Sequence, residues 1–285
     1  MIVHVIGASG RTGLTLCRSL AADGVAFVPV VRSAKRWRAA GLPGDPAVAD
    51  LRNRRALRRA LAGARYVVSC AHARHVPVIL EAAEDAYRFV FLGSTRKFTK
   101  WPDDHAAGVL AGEDAFRRSD RFGVMLHPTM IYGAQGEDNV QRLARLLKRL
   151  PVVPLPGGGR SLVQPIHQDD VIRCIRAAIE AEWHRPEPMV LAGADRVSYA
   201  DFVRAVAAAA GLPRPRIIGI PAWLLRNHAP VTTVLPGLPR VRTAEVRRLL
   251  EDKAFGIEPM RRLLGVSPIG LAEGLRRTFG PVGGE

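Results

Sequence analysis

The stretch Gly7-Ala8-Ser9-Gly10-Arg11-Thr12-Gly13 decides the fold. It follows the apolar run Met1 to Ile6 directly and opens a segment, Thr12 to Ala22, in which Leu14, Leu16, Cys17 and Leu20 recur at helical spacing. Strand, glycine turn and helix in that order give the three glycines a meaning that their spacing alone lacks. Residues without side chains let the chain turn tightly and let its backbone approach a phosphate. The helix start then offers unpaired N–H groups and a positive dipole end to the anion. The turn therefore predicts a dinucleotide site built from Gly7, Ser9, Gly10, Arg11, Thr12 and Gly13.

Working outward, apolar runs at Val25–Val31, Ala47–Ala49, Tyr66–Cys70, Phe89–Leu92 and Gly123–Leu126 read as buried strands, with helical patterns between most of them. That alternation predicts an α/β fold of the Rossmann type, a doubly wound parallel sheet covered on both faces. Pro29 lies inside the second run, and a residue that cannot donate to a ladder predicts a bulge or an early strand end there. After Tyr132 the pattern changes. Asn139–Leu150 and Val171–Glu182 read as helices, the second capped by Asp169 or Asp170, with the Pro/Gly-rich segment Pro151–Gly159 between them. Beyond Met189 come a short strand, a helix at Tyr199–Ala210, a Pro-rich segment at Pro213–Pro239 and helical stretches at Thr243–Leu250 and Leu271–Arg277. Residues 1–165 are expected to form the dinucleotide-binding domain, with later segments returning to it. Residues 166–285 are expected to form a small, mostly helical C-terminal lobe packed on it.

Bulk properties exclude several other classes. With 285 residues and 48% hydrophobic composition the chain can bury a sizeable core. No apolar run is long enough to span a bilayer, and the sequence begins in a strand pattern, so a cytoplasmic protein without a membrane span is expected. Three widely separated cysteines, Cys17, Cys70 and Cys174, give neither a disulfide framework nor a zinc spacing. The net charge of +16 raises nucleic acid as a partner, yet the 37 arginines are spread along the chain and no nucleic-acid motif accompanies them. The densest group, Arg52, Arg54, Arg55, Arg58 and Arg59, reads as a solvated helix face, so no nucleic-acid partner is expected.

Where NAD binders carry an acid at the end of the second strand, this chain has Arg32. An acid would repel a 2′-phosphate, whereas Arg32 with Arg11 would clamp one, which predicts NADP, with NAD also admissible. Asp50 is placed to accept from an adenine amino group or to cap a helix at Leu51–Leu61. Ser69 and Ala71, flanking Cys70, end the fourth strand with small side chains that permit a cofactor to lie close.

The chain resembles the extended and atypical branch of the short-chain dehydrogenase/reductase superfamily, which includes epimerase/dehydratases acting on nucleotide sugars. The resemblance rests on the glycine turn, on Phe89-Val90-Phe91-Leu92-Gly93-Ser94-Thr95, on His127-Pro128-Thr129-Met130-Ile131-Tyr132-Gly133 and on Pro165-Ile166-His167-Gln168-Asp169-Asp170-Val171. The closing pattern Leu263-Leu264-Gly265-Val266-Ser267-Pro268 with Gly270-Leu271-Ala272-Glu273-Gly274-Leu275 is also similar. The resemblance implies a Ser or Thr, a Tyr and a Lys four residues later as the proton machinery, the Lys lowering the Tyr pKa. Ser94, with Thr95 beside it, matches the first of these. Aligning the helix around Ala111-Gly112-Glu113 puts His105 at the Tyr position and Val109 at the Lys position, and no Tyr-x-x-x-Lys occurs in the chain. His105 is then the candidate acid or base, since an imidazole titrates near neutrality. Lys97 and Lys100 are candidates for the missing positive charge.

Thr95, Lys97, Tyr132 and Arg160, the last in the loop Pro156-Gly157-Gly158-Gly159-Arg160, are candidates for the substrate side. His167 with Asp169 and Asp170 looks superficially like a metal set, but in the resembled family this segment begins a helix, and no metal is expected. Two functions follow. The first is an NADP-dependent oxidoreductase or isomerase of the epimerase/dehydratase type, acting on a nucleotide sugar or another small carbonyl or hydroxyl compound. The second is a non-catalytic dinucleotide-binding sensor or accessory subunit, to which the replaced Tyr/Lys pair and the apolar stretch Ile217–Leu225 with Trp223 point. A homodimer and a place in a larger complex both stay open.

Overall fold

In the computed structural model, residues 1–134, 139–150, 152–221 and 248–280 are described. Short, mostly apolar strands form one seven-stranded sheet: β1 (Val3–Ile6), β2 (Phe27–Val31), β3 (Ala47–Val48), β4 (Tyr66–Ser69), β5 (Arg88–Leu92), β6 (Phe122–Pro128) and β11 (Pro186–Leu191). Their order is β11-β6-β5-β4-β1-β2-β3, and every adjacent pair is parallel. Strands buried on both faces need no polar alternation, which is why FVFL reads as a solid apolar run and VHVI as one interrupted only by the buried His4. The order reverses at β1, whose neighbours are β2 and β4, so a crevice opens between the carboxyl ends of β1 and β4.

Helices cover both faces. On one, α1 (Arg11–Ala22), α7 (Gln168–Glu180) and α9 (Glu258–Leu264) bury Leu16, Leu20, Ile172, Ile175 and Met260. On the other, α3 (Arg54–Ala60), α4 (Val76–Ala82) and α5 (Asp104–Arg117) bury Leu57, Ile79, Val109 and Phe116. A third cluster joins Tyr132, Val140, Val153, Leu155, Phe202, Val203, Leu271 and Leu275. It draws on β7 (Ile131–Tyr132), α6 (Asn139–Leu147), β8 (Val152–Pro156), α8 (Tyr199–Ala209) and α10 (Leu271–Phe279), elements from both halves of the chain.

Several local expectations are corrected. Pro29 neither bulges nor ends its strand. Val3 donates to the Ala26 carbonyl and Gly7 to that of Val30, so the nitrogen of residue 29 faces away from β1. On that side β3 pairs only with Val30 and Val31, and no donor is missed. The cap of α7 is His167, whose ring nitrogen accepts from the Asp169 N–H, not Asp169 or Asp170. Asp170 is instead fully buried, bonded to Arg173 and to the Ile269 N–H. Asp50 does not cap a helix either, because α3 starts at Arg54 with Asn53 accepting from Ala56. Val152–Pro156 is a strand pairing with β13 (Arg216–Ile220), although it is rich in proline. The strand expected beyond Met189 starts at Pro186 and completes the main sheet beside β6. The helix at 243–250 and the stretch around Trp223 fall mostly outside the described residues.

Candidate functional site

Two clefts open along the carboxyl edge of the sheet. The first, of about 390 Å³, runs over the turn between β1 and α1 and is lined among others by Gly7, Ser9, Gly10, Arg32, Asp50 and Ala71. Gly7 has φ of 75° and rests against Cys70 and the Ala71 nitrogen. At Gly13 a Cβ would lie 2.3 Å from the Gly7 carbonyl oxygen, so α1 and the turn touch backbone to backbone. Gly10, the cap residue, contributes no side-chain hydrogen bond, and the start of this twelve-residue helix keeps N–H groups for an anion. These features fit the pyrophosphate of a dinucleotide.

Not every expected residue reaches that cleft. Arg11 is exposed on the first turn of α1, Thr12 is half-buried, and Gly13 is buried beneath the turn; none of the three lines it. Ser69 is 2% exposed within the sheet, and Cys70 lines the cleft in its place. Asp50 accepts from the Arg52 backbone and guanidinium, which hold its carboxyl down to about 2. Arg36 and Arg52 join Arg32 in the lining, and His72 and His75 close the far end.

The second cleft, of about 560 Å³, lies beyond β5 and β6. Ser94 and Thr95 line it, together with Arg96, Lys100, Arg248 and Lys253 and the apolar side chains of Phe98, Met130, Leu250 and Phe255. Ser94 caps the 3-10 turn Thr95–Phe98, its hydroxyl accepting from the Arg96 N–H at 3.1 Å, while Thr95 donates to the Pro128 carbonyl at 3.2 Å. Three substrate-side candidates are placed elsewhere. Lys97 turns inward to Glu113 and is not in the lining. Tyr132 is a core residue, 1% exposed, its ring at 5.3 Å from His167 and its hydroxyl against Gly274; burial raises its pKa. Arg160 is exposed and lines neither cleft.

His105, in the first turn of α5, is paired. Its Nδ1 stands 2.9 Å from Nε2 of His72, whose own Nδ1 accepts from the backbone and side chain of Arg74. With Nδ1 of His72 accepting, Nε2 carries its hydrogen and donates to His105. Desolvation, then His105 and Arg74, bring His72 down to about 4, and desolvation with Arg96 lowers His105. Val109, at the lysine position, is fully buried against the sheet.

Sequence reasoning missed His72, Arg36 and a buried network of Lys97, Glu113 and His127. The signal for the last was present, since Ala106, Val109, Gly112, Glu113 and Phe116 form the buried stripe of α5 and only one of them is charged. Glu113 accepts from Lys97 and from His127 Nε2 at 2.8 Å. The His127 bond, followed by that of Lys97, holds its carboxyl down to about 2. Among the described residues no cluster of His, Cys, Asp and Glu could hold a metal ion, and no helix is long and apolar enough to cross a membrane.

Residues 7–120 match the profile of an NAD(P)H-binding family. The chain is 27% identical to a ceramide reductase of Caulobacter vibrioides, over 99% of this chain and 92% of that protein. Among solved structures, UDP-glucuronic acid 4-epimerase of Bacillus cereus, bound to UDP-glucuronic acid and NAD, superposes with a TM-score of 0.73 at 17% identity, covering 98% of both chains. UDP-glucose 4-epimerase of Thermotoga maritima, with UDP-glucose, gives 0.72 at 15%, covering 98% and 97%. Over residues 7–120 the chain thus carries an NAD(P)H-binding domain. Its fold is similar to that of these two epimerases.

Proposed function

We propose that this protein is a cytoplasmic NADP-dependent oxidoreductase acting at a carbonyl or hydroxyl of a small molecule with an apolar portion. The observation that carries this reading is the His72–His105 pair. It connects the wall of the first cleft to the helix position at which the superfamily places its proton donor. The dinucleotide contacts are Gly7, Ser9, Gly10, Arg32, Asp50 and Ala71 in the cleft, with Arg11, Thr12 and Gly13 supplying the helix start. When bound there, the nicotinamide supplies or accepts the hydride. Ser94 orients the substrate oxygen in the second cleft, and His105, held in orientation by His72, donates the proton to it, which solvent restores. The apolar lining of Phe98, Met130, Leu250 and Phe255 and the likeness to a ceramide reductase favour a substrate with a hydrocarbon part over a nucleotide sugar.

Mixing the protein with NADPH and either oxidised ceramides or UDP-sugars, and following NADPH absorbance, tests the reading. Turnover with the former is expected. His105→Gln should lower kcat by about 10²–10⁴, the range of a lost general acid or base, with NADPH affinity unchanged. In the direction of carbonyl reduction the protonated ring is the proton donor. Because burial lowers the His105 pKa, the rate should fall as pH rises through a midpoint below 6.5. A midpoint above 6.5 would exclude His105 as that group.

The preference for NADP rests on Arg32 together with Arg36, both exposed and both lining the first cleft. Arg32→Glu should weaken NADPH about 10–100-fold, the loss of one charge-assisted contact, and leave NADH nearly unchanged in a fluorescence titration. A second reading, a sensor that binds the dinucleotide without turning over, is favoured by the burial of Val109, which leaves no lysine on that turn of α5. Saturable NADPH binding with no turnover across both substrate sets would support it.

A further inference from the structure

Behind the cleft face of the turn Thr95–Phe98 lies a group of charges that the proposed reaction does not use. Ser94, Thr95, Arg96 and Phe98 face the second cleft, whereas Lys97, its side chain 9% exposed, reaches back to Glu113. The same oxygen of Glu113 meets Nε2 of His127 at 2.8 Å. On the opposite side of the ring, Nδ1 accepts the backbone N–H of Ser94 at 3.2 Å. The ring is packed so closely on the preceding residue that a Cβ at Gly93 would lie 2.4 Å from Nδ1. Three elements therefore converge on one backbone group: β6 with His127, α5 with Glu113, and the turn itself with Lys97.

The hydrogen-bond pattern fixes the state of the ring. Since Nδ1 accepts, the hydrogen is on Nε2 and points at the carboxylate, so His127 is neutral. Burial, with the Lys97 ammonium 3.4 Å from Nε2, keeps it so against the opposite pull of Glu113; these two side chains and the Ser94 N–H are the groups facing the ring. A doubly protonated ring would aim one N–H at another. A buried Lys–Glu pair is a costly way to fill space, because well-packed apolar residues of similar volume do so at least as well. What apolar residues cannot do is accept from Ser94 while holding the acceptor in one tautomer and one orientation.

We propose that Lys97, Glu113 and His127 are positioning residues for Ser94, a clamp that sets where its hydroxyl meets the substrate oxygen. The proposal rests on the reading of Ser94 as the oxygen-orienting group of a reductase. Two substitutions separate positioning from mere stabilisation. In His127→Asn the amide oxygen can still accept from Ser94, whereas in His127→Leu nothing can. With NADPH and an oxidised ceramide as the carbonyl probe, His127→Leu is expected to lower kcat about 10–100-fold, the cost of a misplaced catalytic group. KM and NADPH affinity should change little, and His127→Asn should recover most of the rate. Two measurements need no substrate. Nitrogen-15 NMR should find His127 protonated at Nε2 and bare at Nδ1. The Ser94 amide should exchange slowly in the wild type and in His127→Asn, and about tenfold faster in His127→Leu, the loss of one hydrogen bond. An Nδ1–H tautomer, or an unchanged Ser94 amide in folded His127→Leu, overturns the clamp. Absence of turnover in the wild type would count against the reductase reading alone, since tautomer and exchange still decide the clamp.

Discussion

Gly13→Ala is expected to abolish dinucleotide binding at concentrations that saturate the wild type. The added methyl would sit 2.3 Å from the Gly7 carbonyl oxygen and 2.9 Å from both the Gly7 carbonyl carbon and the Ala8 Cα. All three neighbours are backbone, so no side chain can swing aside. The conflict is relieved only by pulling α1 away from the turn, which takes its N–H groups out of register with Gly7 and Gly10. Overpacking of this kind costs about 1–3 kcal/mol of stability. The loss in affinity should be larger, about a hundredfold or more, because the anion is held by N–H groups whose positions all move together. Tryptophan-quenching titrations with NADPH and a thermal melt would measure the two effects separately. Gly256→Ala serves as the control, since nothing lies within 4 Å of a Cβ there. A Gly13→Ala protein that binds NADPH like the wild type would remove the glycine turn from the site.

The glycine turn was legible in sequence because its chemistry is local. Three residues without side chains, the preceding strand and the following helix lie within one short segment, and their meaning does not depend on what the chain does later. The same holds for Arg32, which follows β2 directly and lines the first cleft. Partners distant in sequence were not legible. Lys97 and Glu113 are sixteen residues apart and His127 thirty from Lys97, and only the stacking of β6, α5 and the turn brings them together. Lys97 was therefore expected at the substrate and found in the interior. Tyr132 failed for the opposite reason. A tyrosine in a segment that borders pockets in related folds reads as a contact, but here the absence of a side chain at Gly274 lets α10 close over its hydroxyl. Asp169 and Asp170 looked like helix caps by residue type. His167 takes that role, two residues before Asp169, leaving Asp170 to tie α7 to the chain before α10.

A second glycine should matter as much to chemistry as Gly13 does to binding. Gly108 and Gly112 lie one turn apart on α5, on the side that meets the 3-10 turn Ala73–His75. A Cβ at Gly112 would fall 2.1 Å from the Ala73 carbonyl oxygen, and one at Gly108 would fall 2.8 Å from Cε1 of His72. This close approach of helix to turn is what lets His105 reach His72 at 2.9 Å. Gly112→Val is therefore expected to push α5 outward and part the two rings. Stability should fall by about 1–3 kcal/mol from overpacking, and kcat by about a hundredfold from loss of the oriented proton path. NADPH affinity should survive largely intact, because the glycine turn belongs to β1 and α1.

A titration of His72 gives the same answer without a substrate. Its pKa in the folded protein, about 4, reflects burial first and the neighbouring His105 and Arg74 after it, so parting the rings should return it toward 6.5. The sign of the accompanying stability change follows. A histidine whose folded pKa is depressed binds fewer protons folded than unfolded, so its share of stability is complete above pH 6.5 and drains away as pH falls toward 4. Gly112→Val should flatten that acid-side slope while lowering stability overall. Leu110→Ala, on the exposed face of the same helix, should change neither. If Gly112→Val leaves both kcat and the His72 titration as they are, the two imidazoles do not act as a pair and His72 does not orient His105.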